Sequence, residues 1–94
     1  MKVSEIISDI EEVVKSQTGG IYSKWKIGTS NDAEDSKGVL GNPDSWRDWE
    51  TNAPEDAEEV ESYFVDKGMR SEGSGYGDPE FVYIYFIGSP QENF

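Results

Sequence analysis

The sequence predicts a small α/β (α+β) domain: a three-stranded, mainly antiparallel sheet flanked by helices, with residues 80–87 as its central strand. Three observations predict it. Val3, Ile6, Ile7, Ile10, Val13 and Val14 recur at the i, i+3, i+4, i+7 spacing of an amphipathic helix. From Phe81 to Ile87, apolar and aromatic residues fill both faces of a strand, as in a strand covered on both sides. Helical and extended patterns alternate along 94 residues, a length suited to one domain with one core.

The elements follow in order. The first helix is expected over 4–17, with Ser4 as N-cap and Glu5 placed where the macrodipole favours an acid. Gly19 and Gly20 end it. Ile21 to Gly28 alternates at strand period. Thr29-Ser30-Asn31-Asp32 is a turn, and Asn31 with Glu34 reads as the cap of a short helix to about Lys37. Gly38, Gly41, Asn42 and Pro43 break that helix. Trp46 to Thr51 reads as a strand. Side chains alternate, so Trp46 and Trp49 cannot share a face, and one belongs at an edge or over a helix. Pro54 suits the first turn of a second long helix, which runs to about Lys67 and stops at Gly68. Residues 69–79 read as a loop and 88–94 as a loose tail.

Composition excludes several chemistries. The chain has no cysteine and no histidine, so it has neither a Cys/His zinc site nor a histidine-based triad. Eight cations against twenty acids give −12, far from the basic footprint of a phosphate-backbone binder. The run Phe81–Ile87 is too short to span a bilayer, which takes ~20 residues. Acids inside the first apolar stripe argue against a secretory signal. The lack of cysteine fits a reducing cytoplasm, the expected location.

Two features ask for a function. On a helical wheel of the second long helix, Glu61 falls inside the stripe of Ala57, Val60 and Phe64. A carboxylate there should pair with a cation, hold a metal or carry a raised pKa; at the stripe's edge it would reach water instead. The second feature is the charge of residues 38–66, where Arg47 stands alone against nine acids. Glu55, Glu58, Glu59 and Asp66 lie opposite the apolar stripe, and Asp44, Asp48 and Glu50 precede them. Glu55 and Glu59 are a like-charged i,i+4 pair, and Asp66 sits at a helix C-terminus. Helix stability disfavours both arrangements. The bland account is a solvated face; the functional one is a surface for a basic partner.

Gly20-Ile21-Tyr22 followed by Lys26-Ile27-Gly28 resembles the two opening motifs of GIY-YIG nuclease domains. Val60-Glu61-Ser62-Tyr63-Phe64-Val65-Asp66-Lys67 is similar to that family's helix bearing the metal-binding glutamate. Gly68-Met69, the Gly-rich loop and the aromatic strand resemble small stand-alone members from bacteria and phages. The resemblance covers about residues 20–87. It implies a reduced GIY-YIG-like fold with Glu61 in the metal position and Tyr22 near the scissile phosphate. Three residues separate the opening motifs here, against ten or so in the family. Lys26 stands where the second motif has tyrosine. Ser36, beside Asp35, stands where the resemblance places the catalytic arginine, and neither can stabilise charge on an attacked phosphate. Arg47 and Arg70 are the chain's two arginines. Arg70 would have to swing toward Glu61 to serve.

The expected function is therefore non-catalytic: a small acidic binding protein on a nuclease-like scaffold. Its partner is a basic protein surface, such as that of a nucleic-acid-binding protein. Its action would be that of an inhibitor or nucleic-acid mimic, and no cofactor is expected. Two alternatives stay open. One is a divergent nuclease with Mg²⁺ on Glu61, using Tyr22 and Arg70. The other is a nucleotide or similar anion binder using Arg70, Gly73, Gly75, Tyr76 and Gly77.

Overall fold

The computed structural model describes residues 1–43, 45–72 and 79–88. Helix α1 (Val3–Thr18) leads through a 3-10 turn (Tyr22–Lys24) into strand β1 (Trp25–Ser30). Helix α2 (Ala33–Val39), strand β2 (Arg47–Glu50) and helix α3 (Pro54–Lys67) follow. Strands β3 (Arg70–Ser71) and β4 (Phe81–Phe86) complete the order. The architecture is α+β, with a four-stranded mixed sheet of order β2-β4-β1-β3. β4 pairs antiparallel with β1 and β2, and β3 pairs parallel with β1. Among the described residues the sheet has four strands where three are expected. The extra one lies in the stretch read as a loop, where Glu72 N–H also donates to Ile27 C=O at 2.8 Å.

The central strand is β4, as its two-sided pattern predicts, and register assigns its faces. Trp25, Ile27 and Thr29 stand opposite Phe86, Ile84 and Val82, so these six share one side of the sheet. That side carries the core. Ile6, Ile10, Val13 and Val14 of α1 and Val60 and Phe64 of α3 pack with Trp25, Ile27, Val82 and Ile84. Trp25 is fully buried, and its indole N–H donates to Thr18 Oγ1 at 3.0 Å. The opposite side carries Lys26, Gly28 and Ser30 beside Tyr85, Tyr83 and Phe81.

The helix ends differ in detail from expectation. α1 begins one residue before Ser4, and Glu5 Oε1 accepts from Lys2 N–H at 3.2 Å, so the carboxylate does the capping. Asp32, not Asn31, caps α2, accepting from Asp35 N–H at 3.1 Å. Pro54 opens α3 and Gly68 follows its end, as read. Among the described residues no helix is long and apolar enough to cross a membrane.

The two tryptophans separate as the alternation rule requires. Trp49 lies within β2 opposite Val82, on the helix side, and donates its indole N–H to Asp9 at 3.3 Å. Trp46 precedes β2 and stacks on Tyr83, on the other side, with ring centroids 4.5 Å apart. The turn into it passes through Ser45 at φ 57°, a left-handed conformation for a residue with a Cβ. Ser45 Oγ donates to Gln17 Oε1 at 3.1 Å, tying that turn to the end of α1.

Candidate functional site

Three places gather the side chains with chemical potential: the Glu61 edge, the aromatic side of the sheet, and the outer surface of the two long helices.

Glu61 is half-buried on α3. Its Oε2 accepts a hydrogen bond from Ser71 Oγ of β3 at 3.0 Å. Loss of water raises its pKa above the ordinary carboxylate value; the Ser71 hydrogen bond opposes that rise and Glu58 reinforces it. Of the other residues of the nuclease alternative, Arg70 does not converge on it. Tyr22 packs its ring against Phe64 at 5.8 Å. Arg70 stands opposite Lys26 in the β1–β3 register, whereas Ser71 stands opposite Ile27. The two therefore project to opposite sides of the sheet, and Ser71 takes the side of α3. No hydrogen bond or ion pair links Tyr22, Glu61 and Arg70 among the described residues. Among the described residues, no three or more acids group to hold a metal ion. Ser36, at the position where the resemblance places an arginine, bonds Oγ to Oγ with Ser30 at 2.7 Å.

On the aromatic side, Tyr83 and Tyr85 are nearly inaccessible, with Trp46 stacked on both. Tyr85 donates its hydroxyl to Glu72 at 2.6 Å, and Glu72 also pairs with Lys26 at 3.3 Å. Burial, then the charges of Glu72 and Glu61, push the Tyr83 hydroxyl up to about 12. Burial and the Glu72 bond raise Tyr85 as well. The Tyr83 ring crosses β1 at Gly28, where a Cβ would lie 2.5 Å from its hydroxyl oxygen. The glycine of the Lys26-Ile27-Gly28 motif thus makes room for a tyrosine.

Of the acids expected on one face, Glu55, Glu58, Glu59 and Asp66 are exposed on α3. Asp48 and Glu50 are exposed too, but they stand opposite Tyr83 and Phe81, on the side of the sheet away from α3. Residues 48–66 therefore do not form the single acidic face the sequence suggests. A linear count of charge does not see the sheet between them. α3 is joined instead by α1, which packs beside it and exposes Glu5, Asp9 and Glu12. These acids stand out little in the sequence, because residues 1–37 carry five cations against seven acids. Those cations include Lys26, which the fold places on the far side. Their i, i+4, i+7 spacing was the available signal. Together α1 and α3 hold ten acids against Lys15 and Lys67. The one ion pair among the described residues, Lys26–Glu72, lies elsewhere. Asp44, Gly73, Gly75, Tyr76 and Gly77 fall outside the described residues.

No protein-family model matches this chain, and neither a curated protein nor a solved structure matches it.

Proposed function

We propose that this chain is a non-catalytic acidic binding protein, and that the outer surface of α1 and α3 engages a basic surface on a protein partner. The observation that carries this is the net −8 of the two helices, with none of those acids in an ion pair among the described residues. A solvated face would need neither the like-charged Glu55–Glu59 pair nor Asp66 at the C-terminal end of α3. Such a field accelerates encounter with a basic partner and repels acidic competitors, nucleic acid included. A partner that itself binds nucleic acid fits the same chemistry, which makes inhibition by mimicry the natural mode of action.

The scaffold we propose is a reduced relative of GIY-YIG domains. The order of the motifs supports it, with Lys26-Ile27-Gly28 on β1 and Glu61 on a helix packed against that sheet. The placement of Arg70 on the side of the sheet away from Glu61 supports loss of catalysis. The test is partner capture. The native chain should retain basic proteins in a salt-sensitive way, and the quadruple variant Glu55→Lys, Glu58→Lys, Glu59→Lys, Asp66→Lys should lose them. Unchanged capture by a folded variant would remove the helical surface from consideration. Mg²⁺-dependent cleavage of DNA or RNA, abolished in Glu61→Gln, would replace the binding reading with the nuclease one.

A further inference from the structure

The far side of the sheet holds a cavity that the proposed helical surface does not use. It measures about 370 Å³, within the ~300–1,000 Å³ of small-ligand pockets, and Trp46 forms part of its wall. Asp32, the cap of α2, lines it together with Glu34 and Lys37 of α2, Asp48 of β2 and Phe81 of β4.

The tryptophan is held in a fixed pose. One part of its ring is stacked on Tyr83 and Tyr85, within 15° of parallel to each. Its indole N–H donates to Asp48 Oδ2 at 2.6 Å, a short bond to a charged acceptor. That bond fixes a carboxylate at the edge of the indole, with its second oxygen left to accept another donor. Trp46 is half-buried and lines the cavity beside Asp48. Three carboxylates against the single ammonium of Lys37 set the sign of the charge there.

We propose that this cavity is a guanidinium pocket, which receives the side chain of arginine. An indole face is the best aromatic surface for a cation, and a planar guanidinium can lie flat on it. In that pose its N–H fork meets a carboxylate at the ring edge, where Asp48 stands. An ammonium is compact and strongly hydrated, and uses neither the flat face nor the fork. The ligand is free arginine or an arginine presented by a peptide; the chemistry is shared, and the probes separate the two.

The experiment follows the Trp46 indole N–H in ¹H–¹⁵N spectra, assigned by its disappearance in Trp46→Phe. Free arginine, N-acetylarginine amide, N-acetyllysine amide and N-acetylcitrulline amide are titrated in turn. We expect a saturable shift with an arginine probe, far weaker with lysine and absent with the neutral citrulline. A response to both arginine probes assigns a pocket open to peptides, and a response to free arginine alone assigns a metabolite site. Asp48→Asn should weaken the arginine probe about tenfold, the effect of losing a charge-assisted bond, and adding Glu34→Gln should weaken it further. Both substitutions are isosteric and at exposed positions, and a thermal scan confirms folding before titration. No saturable shift, an equal response to citrulline or lysine, or an unchanged titration in the folded double variant overturns the proposal. Because α1 and α3 lie across the sheet, failure here leaves the helical binding surface untouched, and the reverse holds too.

Discussion

Gly28 and Glu61 show what single residues contribute. Tyr83 lies across Gly28, and Glu72 Cβ would be 2.9 Å from an added methyl. Neither neighbour can retreat easily, since the Tyr83 ring is stacked under Trp46. Gly28→Ala should therefore destabilise the fold by roughly 1–3 kcal/mol, the usual cost of overpacking. Urea unfolding measures this directly, and an unchanged midpoint would contradict the packing. Glu61 makes the opposite kind of prediction. Its folded pKa is raised, so the folded state binds that proton more tightly than the unfolded chain does. Its contribution is favourable below the ordinary carboxylate pKa and is lost as pH rises through the folded value. Glu61→Gln keeps an acceptor for Ser71 and removes the buried charge. The variant should be more stable than the native chain at pH 7, and the gain should vanish as pH falls toward 4. Thermal scans across that range check it. A metal ligand would behave otherwise, with Mg²⁺ stabilising the native chain and not the variant.

At the scale of elements, the legible parts are those whose pattern is long. α1, α3 and β4 are visible because burial repeats over many residues at one period, and Pro54 and Gly68 mark the ends of α3. β3 was not visible. It has two residues, and what makes it a strand is the backbone of β1 beside it. Short-range pattern cannot report a pairing across forty residues of chain. The place of Trp46 was only half legible. Alternation separates it from Trp49, but the turn at Ser45 and the tyrosines of β4 decide where it lands. Glu61 was legible because one helical wheel sufficed. The true extent of the acidic surface was not, because it needs α1 set beside α3. α2 depends on its cap more than the long helices do, because seven residues propagate few hydrogen bonds. Asp32→Ala should cost roughly 1 kcal/mol, whereas Asp32→Asn should be close to neutral. Chemical denaturation of the two variants side by side measures the difference.

For the whole molecule the governing quantity is −12 on 94 residues. Eight of those net charges lie on two adjacent helices, so the fold works against its own repulsion. Screening falls within about 10 Å at 0.1 M salt and shortens further as salt is added. The melting temperature should therefore rise as sodium chloride is raised from a few millimolar to physiological strength. Charge reversal at Glu55, Glu58, Glu59 and Asp66 should flatten that rise. A native chain whose melting temperature ignores salt would show that these charges are too well solvated to steer a partner.

The sheet order has a consequence for how the chain is made. β1 and β2 have no contact through the sheet except by way of β4, and β4 follows both in the sequence. Until residues 81–86 are synthesised, β2 has no partner in the sheet and β1 has only β3, and the apolar stripes of α1 and α3 lack Val82 and Ile84 of the core. Folding thus waits for β4, which closes a gap between two strands that precede it. Such a topology rewards reaching β4 quickly. It leaves any product that stops short of Phe81 as a pair of sticky edges rather than a smaller version of the same fold.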